Sequence, residues 1–164
     1  MNILLVDDEL SCLDCLSEGL KLVNPDYQVF TAENGKIAVN VLENHQIDLV
    51  VTDLNMPVMD GFELLAYTKS NFPHIPVIVM TAFGTASIEE QVHTNEPFCY
   101  LEKPLDLNHF CGKVESALVQ YAKSYCQMLW MRRFCSVSWV HNQATCSSLP
   151  STNFIPDKTF KISS

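Results

Sequence analysis

The chain has 164 residues, of which 48 % are hydrophobic, and a formal net charge of −9. That length suits one domain of ordinary size, or one domain and a tail, with enough apolar material for a core. The acidic balance argues against nucleic acid as the main partner, although the acid is uneven: residues 1–122 hold 18 acids and 5 bases, residues 123–164 one acid and 5 bases.

Met1-Asn2 leads directly into the apolar residues 3–6. Without a basic lead, and this short, the run does not read as a signal peptide, and nothing approaches a membrane span. Asp7-Asp8-Glu9 follows at once. Three adjacent carboxylates repel one another unless solvated or gathered round a cation, and Asp8 or Glu9 could instead cap the next helix. Leu13, Leu16 and Leu20 recur at helical spacing until Asn24-Pro25-Asp26. Cys12 and Cys15 form a C-x-x-C inside that pattern with no second pair. They read as apolar helix-face residues, and the seven scattered cysteines of the chain fit a reducing cytoplasm.

Residues 27–31 alternate like a strand, Asn34-Gly35 reads as a turn, and Ile37, Val41 and Leu42 mark a second helix. Residues 47–53 form an apolar run that ends on Asp53, with the breaker Pro57 four residues later. Such a run is a strand buried on both faces, as in a parallel sheet. Phe62, Leu65 and Tyr67 belong to a third helix, and residues 76–81 are a fourth strand closing on Thr81. A weaker helix is predicted over 87–94. A fifth strand over 98–101 precedes Glu102-Lys103-Pro104, and a last helix carries Leu107, Cys111, Val114, Leu118 and Tyr121 on one face.

Five alternations of strand and helix in about 120 residues imply a parallel sheet with helices on both faces. Right-handed crossovers leave few topologies. The expected fold is doubly wound and flavodoxin-like, with strand order 2-1-3-4-5 and a switch point between strands one and three. Asp7-Asp8, Asp53, Thr81 and Lys103 then all lie at carboxyl ends of strands, where open sheets of this class bind ligands. Asp7 or Asp8 with Asp53 offers hard oxygen ligands for Mg²⁺, which takes only one or two carboxylates and keeps several waters. Lys103 adds a cation and Thr81 a hydroxyl. A carboxylate, a divalent ion, an ammonium and a hydroxyl together suit receipt of a phosphoryl group on an aspartate.

The residues Val6-Asp7-Asp8-Glu9, Asp53-Leu54-Asn55-Met56-Pro57-Val58-Met59-Asp60-Gly61, Met80-Thr81-Ala82 and Tyr100-Leu101-Glu102-Lys103-Pro104 carry a resemblance. In order and spacing, residues 1–122 resemble the receiver domain of a two-component response regulator. The resemblance implies that Asp53 is the phospho-acceptor, charged by a sensor histidine kinase or a histidine phosphotransfer protein. It implies Mg²⁺ (or Mn²⁺) held by Asp8, Asp53 and the Asn55 backbone carbonyl, with Asp7 acting through water. Thr81 and Tyr100 become the switch pair, Lys103 pairs with the phosphoryl group, and the Lys103–Pro104 bond is expected to be cis. The output is contact with a downstream protein rather than turnover of an external substrate. A homodimer through the fourth helix, fifth strand and last helix is one possible form of that output.

Two features depart from the family pattern. His93-Thr94-Asn95-Glu96-Pro97-Phe98 replaces a small-residue turn, and Pro97 stiffens it beside the dimer face. Phe83 stands two residues after Thr81, where an acid or amide could align water, and is expected to slow loss of the phosphoryl group. Residues 123–164 read as an extension of the last helix through Tyr125, Leu129 and Phe134, then a tail rich in Ser, Thr, Asn and Pro. They form no recognisable output domain, and Arg132-Arg133 lacks a helix-turn-helix context.

Two rivals use related chemistry. A phosphatase or phosphotransferase like the haloacid dehalogenases needs a second acid two residues after the nucleophile. Asn55 stands there and cannot exchange protons. A flavin-binding module needs a phosphate cradle after the first strand, where three acids repel a phosphate.

Overall fold

The computed structural model describes residues 1–82 and 97–135, with side chains in the second segment up to Lys123. Five strands, β1 (Asn2–Val6), β2 (Gln28–Ala32), β3 (Leu49–Asp53), β4 (Val77–Thr81) and β5 (Cys99–Glu102), form one parallel sheet in the order β2-β1-β3-β4-β5. This is the order expected from the crossovers. Four described helices accompany it: α1 (Leu10–Val23), α2 (Gly35–Asn44), α3 (Gly61–Asn71) and α4 (Leu107–Cys135). The helix expected over 87–94 and the tail beyond Cys135 lie outside the described residues, as does Phe83.

The sheet has two apolar faces because successive strand side chains alternate. Ile3, Leu5, Leu49, Val51, Ile78 and Met80 pack with residues of α1 and α4, including Leu13, Leu16, Leu20, Phe110, Val114 and Leu118. Leu4, Val6, Val50, Val77 and Val79 face the other way, toward Ala38 and Leu42 of α2 and Leu64 and Leu65 of α3. The three central strands are buried almost throughout, which is why they read as unbroken apolar runs. The edge strands β2 and β5 are only half-buried.

One local expectation changes. Asn34-Gly35 is no turn: Asn34 is the N-cap of α2, its side chain accepting a bond from the Ile37 amide at 3.0 Å, and Gly35 is the first helical residue. Asn serves both purposes, so the dipeptide alone does not separate them. Ile37 is 44 % exposed, and the small Ala38 takes the inward position with Leu42. In α3 the core positions are Leu64 and Leu65, while half-buried Tyr67 sends its hydroxyl to Glu43 at 2.8 Å. The start of α3 is a capping box: Asp60 accepts from the Glu63 amide at 2.8 Å, and Glu63 from the Asp60 amide at 3.2 Å. No helix among the described residues is long and apolar enough to cross a membrane.

Candidate functional site

The alternation of β1 and β3 sets the site. Ile3 and Leu5 face the α1 and α4 side, so Asp7, two residues on, follows them in parity; Asp53 likewise follows Leu49 and Val51. Both carboxylates are buried, Asp7 at 0 % and Asp53 at 5 % exposure. β5 delivers Lys103 to the same crevice, its backbone held by a bond from its amide to the Thr81 carbonyl at 2.7 Å. The Lys103 Nζ lies 2.7 Å from Asp53 Oδ1 and 2.8 Å from Asp7 Oδ2. The bond between Lys103 and Pro104 is cis.

The second oxygen of each carboxylate accepts a backbone amide. Glu9 donates to Asp7 Oδ1 at 3.0 Å, and Asn55 donates to Asp53 Oδ2 at 2.7 Å. These bonds fix the ring of oxygens before any ligand arrives. Burial by itself disfavours the Lys103 ammonium, but its bonds to Asp53 and Asp7 outweigh that and hold it well above the usual lysine range. The lysine is therefore a permanent cation at the mouth of two buried acids.

Asp8 is exposed and turned away from the core. Glu9 occupies the N-cap position of α1 but makes no side-chain cap bond, so neither acid caps that helix as one reading allowed. Asn55 is exposed at the start of the β3–α3 loop. Thr81 is fully buried at the end of β4. In the β4–β5 register Val79 pairs with Tyr100 and Thr81 with Glu102, so Thr81 and half-buried Tyr100 share one face of the sheet, with Tyr100 packed on the α2 and α3 core. Gly61 packs directly against the Asp53 carbonyl; a Cβ there would also lie 2.8 Å from the Leu54 Cα.

Cys12 packs against the core on the α1 and α4 side of the sheet, as its reading as an apolar helix-face residue expects. Burial and the nearby Asp7 carboxylate push its thiol up to about 12. Cys15 is exposed. The usable signal was position: a residue one turn into the helix after β1 folds back over the end of that strand.

Comparison with known proteins agrees with this geometry. The family model described as response regulator receiver domain matches residues 3–115. The transcriptional regulatory protein GlrR of Escherichia coli (strain K12) is 39 % identical over 123 residues, covering 74 % of this chain and 27 % of that protein. This chain therefore spans about a quarter of that regulator's length. The signal receiver domain of a putative Luxo repressor protein from Vibrio parahaemolyticus superposes with a TM-score of 0.70 at 26 % identity, covering 76 % of this chain and 95 % of that one. The response regulator protein TrrA of Thermotoga maritima, crystallised in complex with Mg²⁺-BeF, gives a TM-score of 0.61 at 27 % identity, with 71 % and 97 % covered. A parallel sheet in this order, two buried carboxylates on one lysine and the match across most of the chain place it in the response regulator receiver domain family.

Proposed function

We propose that the chain is a phosphorelay switch in which Asp53 accepts a phosphoryl group from a sensor histidine kinase or a histidine phosphotransfer protein. The observation that carries this is the convergence of Lys103 on the buried Asp53 carboxylate at 2.7 Å. An Asp53 oxygen attacks phosphorus, the bond from phosphorus to the donor's imidazole nitrogen breaks, and that nitrogen keeps the electron pair. The ammonium of Lys103 moves from carboxylate to phosphoryl oxygen as charge develops there. The Thr81 hydroxyl then binds a phosphoryl oxygen, and Tyr100, on the same sheet face, fills the space that opens. The changed surface is read by a protein partner, with no turnover of an external substrate. Residues 1–122 form the receiver, 123–164 its helical extension and tail, and the setting is cytoplasmic.

The donor set suits Mg²⁺ (or Mn²⁺). Among the described residues no three His, Cys, Asp or Glu side chains gather round one point. Two carboxylates, from Asp8 and Asp53, and the Asn55 carbonyl would hold the ion, with Asp7 acting through water. That sparse, all-oxygen set fits a cation that keeps much of its hydration. When bound, the ion neutralises charge on the phosphoryl oxygens.

The test is incubation with Mg²⁺ and acetyl phosphate. The parent chain gains one base-labile phosphoryl group and Asp53→Ala gains none. Equal labelling of the two removes Asp53 from the role.

A further inference from the structure

Cys12 and Cys15 have no part in the phosphoryl chemistry proposed above. Both line a groove of about 440 Å³ between the start of α1 and the β5–α4 connection, with Leu16, Lys103, Leu105 and Leu107 among its other walls. Both thiols are free. They stand three positions apart on one helix. Helix geometry sets such Cα atoms about 5 Å apart, within the window of roughly 4.4–6.8 Å that a disulfide spans. The Cβ atoms start about 5–6 Å apart and must close to roughly 3.5–4.5 Å.

The start of α1 can supply that movement. Glu9 stands at its N-cap position with no side-chain cap bond, and Leu10 is 58 % exposed. The first turn is held by backbone bonds such as Cys12 N to Glu9 O at 3.0 Å and Leu13 N to Glu9 O at 3.2 Å. Access is graded too, because Cys15 is exposed and Cys12 half-buried.

We propose that Cys12 and Cys15 are a reversible dithiol–disulfide pair whose oxidant is a small-molecule disulfide of the glutathione type. The Cys15 sulfur attacks one sulfur of the oxidant, the oxidant's S–S bond breaks, and the first thiol leaves with the Cys15 proton. The Cys12 sulfur then attacks Cys15 Sγ and expels the second thiol, which takes the Cys12 proton. Two cysteine thiols are oxidised by two electrons, and one disulfide is reduced to two thiols. A bridge that must bend its helix is readily reduced, which suits a transient role in a reducing compartment.

The experiment equilibrates the full chain in glutathione buffers of rising oxidised fraction, blocks free thiols with iodoacetamide and digests with trypsin. The peptide 1–21 contains Cys12 and Cys15 and no other cysteine. It is expected to convert to a form two hydrogens lighter and free of alkyl label, and dithiothreitol restores the labelled form. Cys15→Ser does not convert. A glutathione adduct on Cys15 with Cys12 still alkylated, or full alkylation at every ratio, overturns the pair.

Discussion

Lys103 and Asp53 meet at 2.7 Å, with the carboxylate almost wholly removed from water and the lysine side chain 24 % exposed. Since Asp7 shares the same ammonium at 2.8 Å, one lysine serves two buried acids. Lys103→Met leaves both without their cation. Breaking a buried pair from one side costs about 3 kcal/mol or more. Urea unfolding at neutral pH is expected to show a loss of that size, and a loss under about 0.5 kcal/mol, typical of an exposed pair, would contradict the burial argument. The sign of the pH dependence follows from the raised lysine. Its contribution is complete below the ordinary lysine value of about 10.4 and fades as pH rises through the higher folded value. The gap between parent and Lys103→Met therefore holds from neutrality to that point and narrows only in stronger alkali.

Two glycines predict opposite outcomes. A methyl group at Gly61 collides with the Asp53 carbonyl, which is backbone and cannot swing aside. Gly61→Ala is expected to cost about 3 kcal/mol, the upper range for overpacking. Gly112 lies exposed within α4 with nothing within 4 Å of an added Cβ. Gly112→Ala is expected to gain about 0.5–1 kcal/mol from helix propensity. Thermal melts of the two variants should move in opposite directions.

Val58 holds φ at 73° in the β3–α3 loop and is 79 % exposed. A β-branched residue there is strained, by about 1–2 kcal/mol for the left-handed conformation, with no burial to offset it. Glycine removes most of that strain at an entropic cost of its own, so Val58→Gly is expected to raise stability by about 0.5–1 kcal/mol. A melting temperature that falls would show that the loop draws stability from the valine side chain.

The proposed cation site gives a thermal signature. Magnesium at about a hundred times its dissociation constant stabilises a folded protein by about 2.7 kcal/mol. A corresponding rise in melting temperature is expected for the parent, measured against sodium chloride of equal ionic strength. Asp8→Asn should lose most of it. An undiminished rise in that variant would remove Asp8 from the ligands.

Much of the fold was legible because its signals are local. Residues 3–6, 47–53 and 76–81 are apolar runs that stop on or just before a polar group, and parallel strands buried on both faces have that form. Helix faces were less legible where a small residue does the packing. Ala38 is fully buried while Ile37 points outward, a choice set by the space beneath α2 rather than by hydrophobicity. The cap at Asn34 looked like a turn for the same kind of reason, since Asn favours both.

By itself the sequence determined the alternation of strands and helices, the family, and the presence of Asp7, Asp8, Asp53, Thr81 and Lys103 at strand ends. Each of these is written within a few residues of chain. Only the tertiary structure decided that Asp7 turns inward and Asp8 outward, that Lys103 is shared between Asp7 and Asp53, and that Gly61 touches the Asp53 carbonyl. Lys103 and Asp7 lie 96 positions apart. Their 2.8 Å contact depends on strand register and on which carboxylate the pleat points into the crevice, quantities that arise between segments and are encoded in no one of them.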